Sequence, residues 1–268
     1  MLLAFCIENI SKFFQKSDYT KMMRSAKIGY VKNLPKIDFR KVYQFFDSPI
    51  TTLDCGEKCA IYNPNGIPFC CDICHAVPAV YHQEWNYLQK NSNFWHRWKP
   101  NECAGKTTSA EIIRENLPEN MILLACRGIP CQREHRALSC RQFPFFPYIS
   151  DDFRFIGMTY EWEFEQQCWL ISNLSQVSAT YRQEFINTFD EIFNQWPEEM
   201  ESYAIKSEEM RTVFLERKLK LPILHRNGKC YLLNPGNERL SQVDPDHYRK
   251  FYPYLIRPNT EKSNAPSK

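Results

Sequence analysis

Apolar side chains recur at Tyr181, Phe185, Phe189, Ile192, Phe193 and Trp196. Spacings of three and four mark one face of an amphipathic helix, here over Val177 to Trp196. Pro197 stops that helix and opens the next, Glu198 to Lys218, which is charged and more weakly patterned. The period then changes. In LPILHRNGKCYLLNPG two apolar runs flank Asn227-Gly228, a strong short-range signal for a β-hairpin. Asp244-Pro245-Asp246 predicts a cap for a short final helix reaching Phe251, and the polar tail from Pro258 reads as disordered.

The first half is less regular. Ser17 to Met23 gives a weak helical pattern, and Val42 to Phe46 is an aromatic segment of open type. Tyr81, Trp85 and Leu88 fit helical spacing and predict a helix over 79–90. Ser109 to Leu117 predicts another, with Ser109 as N-cap and Pro118 as stop. Met121 to Ala125 reads as a buried strand or extended run, and 153–164 alternates loosely as a strand would. The fold class expected is α+β: mainly helical, with an irregular cysteine-rich metal-binding core and a small C-terminal β-hairpin. The expected division is an N-terminal extension (1–50), a cysteine-cluster domain (51–170), a helical region with the hairpin (171–257) and a tail (258–268).

Composition changes this picture at one point. The 268 residues suffice for a real core, so the chain does not need cysteine staples, yet it carries 12 cysteines. Eight of them fall in four knots, leaving Cys103 alone between the second and third: Cys55 and Cys59; Cys70, Cys71 and Cys74; Cys126 and Cys131; Cys140. Asn63-Pro64-Asn65-Gly66 is a turn that would fold Cys59 back towards Cys70. Soft thiolates select zinc, copper(I) and iron–sulfur clusters. Cys71-x2-Cys74 and Cys55-x3-Cys59 can each aim two sulfurs at one ion, and Cys126-x4-Cys131 is helped by Gly128 and Pro130. Eight sulfurs exceed the four that one zinc ion or one [4Fe–4S] cluster needs, which leaves two centres, or one with spare thiols. Adjacent Cys70 and Cys71 do not easily face the same ion.

Cys6, Cys103 and Cys230 stand alone and read as buried free thiols, and Cys168 is a marginal ligand. His75 and His135 could replace a sulfur, although ordinary loop residues are the plainer reading. Arg141, directly after Cys140, is placed to offset thiolate charge and donate to sulfur, and Arg136 could do the same. Phe143, Phe145 and Phe146 would form an apolar shell. Trp95, Trp98 and Trp162 fit core packing better than a partner-binding surface.

Other classes recede. A net charge of +3 is too weak to argue for nucleic acid, and no run approaches the ~20 apolar residues of a membrane span. Glu8 breaks the apolar start, so a secretory signal is not expected. The expected home is the cytoplasm, where thiols stay reduced and ligands are favoured over disulfides. No P-loop, HExxH or Ser-His-Asp order is present, and the 8 glycines include no nucleotide-binding loop after a strand.

The run Cys70-Cys71-x2-Cys74, followed by Cys131, Arg136-x3-Cys140-Arg141 and Phe143-Pro144, resembles the YkgJ-like cysteine-cluster family. That family is described as a zinc- or iron-chelating domain. Arg136-Ala137 stands where the family has Arg-Pro, and Gln132-Arg133 where it has Ile-Tyr. The resemblance spans residues 55–147, about a third of the chain. It implies zinc or iron, including a [4Fe–4S] cluster, and the ligands expected from the four knots are Cys55, Cys59, Cys70, Cys71, Cys74, Cys126, Cys131 and Cys140. The flagellin lysine methylases, a related cysteine-rich group, imply the alternative of an iron–sulfur-dependent enzyme, methyltransferase-like or redox. The protein partner stays open.

Overall fold

The computed structural model describes residues 4–6, 37–103, 117, 120–128, 131 and 133–255. The helices predicted over Ser17 to Met23 and Ser109 to Leu117 and the tail from Pro258 lie outside the described residues, apart from Leu117.

Two antiparallel sheets organise the molecule. The first has the order β1-β2-β4-β3, from Ala4–Cys6, Ala76–Tyr81, Met121–Cys126 and Trp95–Arg97. The second is a meander, β5 to β9, from Phe145–Ile149, Phe155–Tyr160, Leu221–His225, Cys230–Leu233 and Leu240–Gln242. The expectation of a mainly helical chain with a small C-terminal hairpin is therefore overturned. The runs around Asn227-Gly228 do become neighbouring strands, β7 and β8, but inside a five-stranded sheet, with β6 on one side and β9 on the other.

Strands β2 and β5 escaped a periodicity reading for a physical reason, whereas β6 lies within the loosely alternating run 153–164. Every residue of β2, β5 and β6 is buried. A strand covered on both faces is apolar throughout and loses the alternation that identifies a half-exposed one. Thus Ala76 to Tyr81 is a strand, and the helix expected over 79–90 begins only at His82.

The helices follow their capping residues. In α1 (Phe39–Phe45) the Asp38 carboxylate accepts from the Arg40 and Lys41 amides. In α2 (Cys55–Ala60) Asp54 accepts from Gly56 N–H at 2.8 Å. Then come α3 (His82–Asn91) and α4 (Leu138–Gln142). The long pair is α5 (Ala179–Gln195), capped by Ser178, and α6 (Pro197–Glu216), opened by Pro197 with Glu198 and Glu199 in its first turn. The helix expected through Phe251 is a single 3-10 turn, Pro245–His247, held by Asp244.

Helix α5 packs on α6, α1 and β6, and α6 covers β5. One hydrophobic core runs through both sheets. Strand β6, before residue 170, pairs with β7, after it. Trp95, Trp98 and Trp162 are all at least nine-tenths buried, so they are core residues and not a contact surface. Among the described residues no helix is long and apolar enough to cross a membrane.

Candidate thiol centre

Four short segments bring the cysteines together. Helix α2 carries Cys55 and Cys59 four residues apart, hence on one face. The turn Asn63 to Gly66 closes with Gly66 N–H donating to the Asn63 carbonyl at 2.8 Å, and it returns the chain to the 3-10 turn Phe69–Cys71. Asp72 fixes that return. Its Oδ2 accepts from Asn63 Nδ2 at 3.1 Å and Asn65 Nδ2 at 2.8 Å, and its Oδ1 accepts from Cys74 N–H at 3.0 Å. Burial pushes the Asp72 carboxyl up, but these donors outweigh it and hold the carboxyl below its ordinary value. Strand β4 ends on Cys126, opposite Trp95 of β3. Arg136 and the short helix α4 follow, and α4 carries Cys140.

The geometry centres on Arg136. Its Nε–H donates to Cys131 Sγ at 3.1 Å, and its charge reaches Cys140 and Cys70 as well. Burial works against the cation, yet the surrounding sulfurs hold Arg136 firmly charged. Cys70 and Cys71 sulfurs lie 4.0 Å apart. The Cys70 and Cys71 thiols share a hydrogen bond, which with Arg136 nearby draws Cys71 down to about 7 against the effect of burial. Burial raises Cys55, Cys59, Cys126 and Cys140, and Cys70 is raised first by its bond to Cys71 and then by burial. Cys55 goes up to about 11 through burial, Cys59 and Asp54, with Arg136 opposing. Cys140 is raised by burial, partly offset by Arg136, and raised further by Cys126, Cys71 and Cys131. Buried thiols stay protonated, and so inert, until a cation displaces the proton.

Three sequence expectations change here. Cys74 is joined to Cys103 in a disulfide, so its sulfur is not a free ligand and Cys103 is not a lone free thiol. Arg141 does not touch sulfur. Its guanidinium is buried and donates to the backbone carbonyls of Phe46, Arg136 and Glu134 and to Asp47 Oδ1, and it lies over the Tyr43 ring. It ties α4 to α1, while Arg136 takes the role expected of it. Cys168, outside the knots, belongs with the cluster. Burial and the neighbouring Cys55 and Cys59 all raise its thiol. Only contact in space reveals it, because nothing in the local sequence marks a lone cysteine 28 residues after Cys140.

The other candidates stand apart. Cys230 is buried on β8, with Arg182 Nη1 3.8 Å from its sulfur. His75 lies 3.6 Å from the Asp72 carboxylate and edge-on to Phe69. His135 presents its backbone carbonyl to Trp95 Nε1. A small cleft of about 40 Å³ opens beside Cys140 and Arg136, with Arg133, Asp47, Phe143 and Tyr181 also in its wall. Among the described residues no three Cys, His, Asp or Glu side chains already close on a single point as metal ligands do. The donors nonetheless suit a soft metal: thiols from four segments around one guanidinium.

Compared with family models, with curated proteins and with solved structures, the chain matches none.

Proposed function

We propose that the chain is a metal-binding protein with a cysteine-thiolate centre, zinc or iron–sulfur, that is structural or electron-carrying. The observation that carries this reading is the gathering of Cys55, Cys70, Cys71, Cys131 and Cys140 around Arg136, with Cys59 and Cys126 next to Cys71. A guanidinium beside several sulfurs has little use if they remain neutral thiols. It offsets charge once they are thiolates, and thiolates are the ligating form. The resemblance to the YkgJ-like cysteine-cluster family points the same way. On binding, the sulfurs would draw together and release their protons, so affinity should rise with pH.

One alternative is an iron–sulfur-dependent enzyme of the methyltransferase-like or redox kind, for which the small cleft beside Cys140 would be the point of approach to the centre's edge. Thermal-shift measurements with S-adenosylmethionine and nucleotides separate the two readings: stabilisation by either favours the enzyme.

The test of metal binding is anaerobic purification followed by elemental analysis and an absorption spectrum. Zinc without colour, or iron with a broad band near ~400 nm, is the expected result. Folded protein free of metal from both aerobic and anaerobic preparations would overturn the proposal.

A further inference from the structure

Three arginines, Arg133, Arg136 and Arg141, line the cleft beside Cys140. Arg141 is committed to the protein itself. Its Nη1 donates to the Phe46 carbonyl and to Asp47 Oδ1, and its Nη2 donates to the Glu134 carbonyl at 3.0 Å, so it ties the two sides of the cleft together. Other polar groups of the wall are engaged as well. Ser48 donates its hydroxyl and its N–H to the Glu184 carboxylate at 2.6 and 2.7 Å. The Tyr181 hydroxyl donates to the Arg141 and Gln142 carbonyls, both at 3.0 Å. Asp47, whose carboxylate would repel an anion, is paired with Arg141 at 2.9 Å and anchored through its N–H to Glu184.

Two guanidiniums remain. Arg136 uses its Nε–H for Cys131 Sγ, and no acceptor among the described residues takes its Nη1 or Nη2. Arg133 is exposed, and no acceptor among the described residues takes any of its side-chain nitrogens. The wall thus carries three cations against one carboxylate. Guanidinium forks match the oxygens of phosphate-like anions and bind them through charge-assisted hydrogen bonds. The rings of Phe46, Phe143 and Tyr181 complete the wall and weaken competition from water. Size narrows the class of ligand. A water needs roughly 10–15 Å³ of such space, so a cleft of about 40 Å³ holds one small oxyanion and excludes a nucleotide or a peptide chain.

We propose that this cleft binds one tetrahedral oxyanion, phosphate or sulfate, either free or as the end group of a larger molecule, with Arg133 and Arg136 as its donors. Arg141 and Glu184 hold the surrounding segments in place and do not themselves bind the anion. The site goes beyond the metal-binding reading and needs no metal on the thiols.

Calorimetric titration of the full chain, as purified, with inorganic phosphate, sulfate and phenyl phosphate at fixed ionic strength tests this. Saturable binding of one anion per chain is expected. Arg133→Gln changes an exposed side chain that holds no other described residue, so the variant should fold as the wild type does. It should bind phosphate about 10- to 100-fold more weakly, the usual effect of losing a charge-assisted contact. Arg97→Gln, at an exposed position on β3 outside the cleft wall, should bind as the wild type does. Equal affinity for phosphate and phenyl phosphate would identify the free ion as the ligand, and tighter binding of phenyl phosphate the end group of a larger molecule; both support the site. Absence of saturable binding to the wild type, or wild-type affinity in Arg133→Gln, would overturn it. A metal-free chain that still binds phosphate would count against the metal-binding reading alone, and a metal-loaded chain indifferent to all three anions against this proposal alone.

Discussion

Arg136 donates its Nε–H to Cys131 Sγ at 3.1 Å, the one guanidinium contact to sulfur in the cluster among the described residues. Arginine is suited to this position because its charge is permanent and its planar fork directs hydrogen bonds. Arg136→Met should lower metal affinity by about 10- to 100-fold, the usual consequence of removing a group that supports the ligands. Arg136→Lys should recover part of the loss by keeping the charge without the fork. Competition with a colorimetric chelator measures both variants. Unchanged affinity in Arg136→Met would remove the guanidinium from the account of the site.

Arg141 separates structure from ligation. It makes its hydrogen bonds to the carbonyls of Phe46, Arg136 and Glu134 and to Asp47, all while buried. Arg141→Met strands those acceptors and should cost about 3 kcal/mol of stability, seen as a lower urea midpoint. Metal per folded chain should remain at the wild-type value. Loss of metal at full stability would restore Arg141 to the site.

How far these roles could be seen beforehand depends on the kind of signal. The Tyr181 to Trp196 stripe announced α5 because one of its faces meets the core and the other does not. Asn227-Gly228 announced the β7–β8 turn because that backbone needs a positive φ, and Gly228 has one, at 84°. Strands β2 and β5 gave no alternation because both faces are buried, while β6 lies within the loosely alternating run 153–164. The knots were visible as spacing, but their partners were not. Cys103 and Cys168 look alike in sequence, and the fold bonds the first to Cys74 and sets the second beside Cys55 and Cys59. Arg136 and Arg141 were both candidates on proximity alone. They differ because Arg141 turns towards α1 while Arg136 turns towards the sulfurs.

Glu84 sets a pH dependence. Its side chain is fully buried, accepting from the Tyr43 hydroxyl at 2.5 Å and Leu138 N–H at 2.6 Å. Burial lifts its carboxyl to about 7, with the Leu138 and Tyr43 donors and Arg141 pulling the other way. An acid raised on folding binds more protons in the native state. Its favourable contribution is therefore complete below the unfolded value, near 4.5, and is lost as pH rises through about 7. The change amounts to roughly 3 kcal/mol. Glu84→Gln mimics the protonated form, so the variant should match wild type at pH 5 and exceed it at pH 8. Glu161 and Glu209, also lifted to about 7, titrate in both proteins and cancel in the comparison. Parallel stability curves for the two proteins would show that Glu84 does not titrate in this window.

Gly157 is where β6 meets β7. It stands opposite His225 in the register, and a Cβ built there would lie 2.8 Å from His225 Cα and closer still to the Leu224 carbonyl oxygen. Both are backbone atoms, so no side-chain rotation relieves the clash and the strands must part. Gly157→Ala should therefore cost about 3 kcal/mol or more, a fall of roughly 6–12 °C in Tm for a chain of this size. The damage has a direction. Strands β7, β8 and β9 join the rest of the second sheet only through β6, whereas β2, β3 and β4 belong to the other sheet. Hydrogen exchange in Gly157→Ala should quicken over 221–242 and change little over 76–81 and 121–126. Equal acceleration in both sheets would mean that they unfold as one unit, and that the β6–β7 contact is not a separable joint.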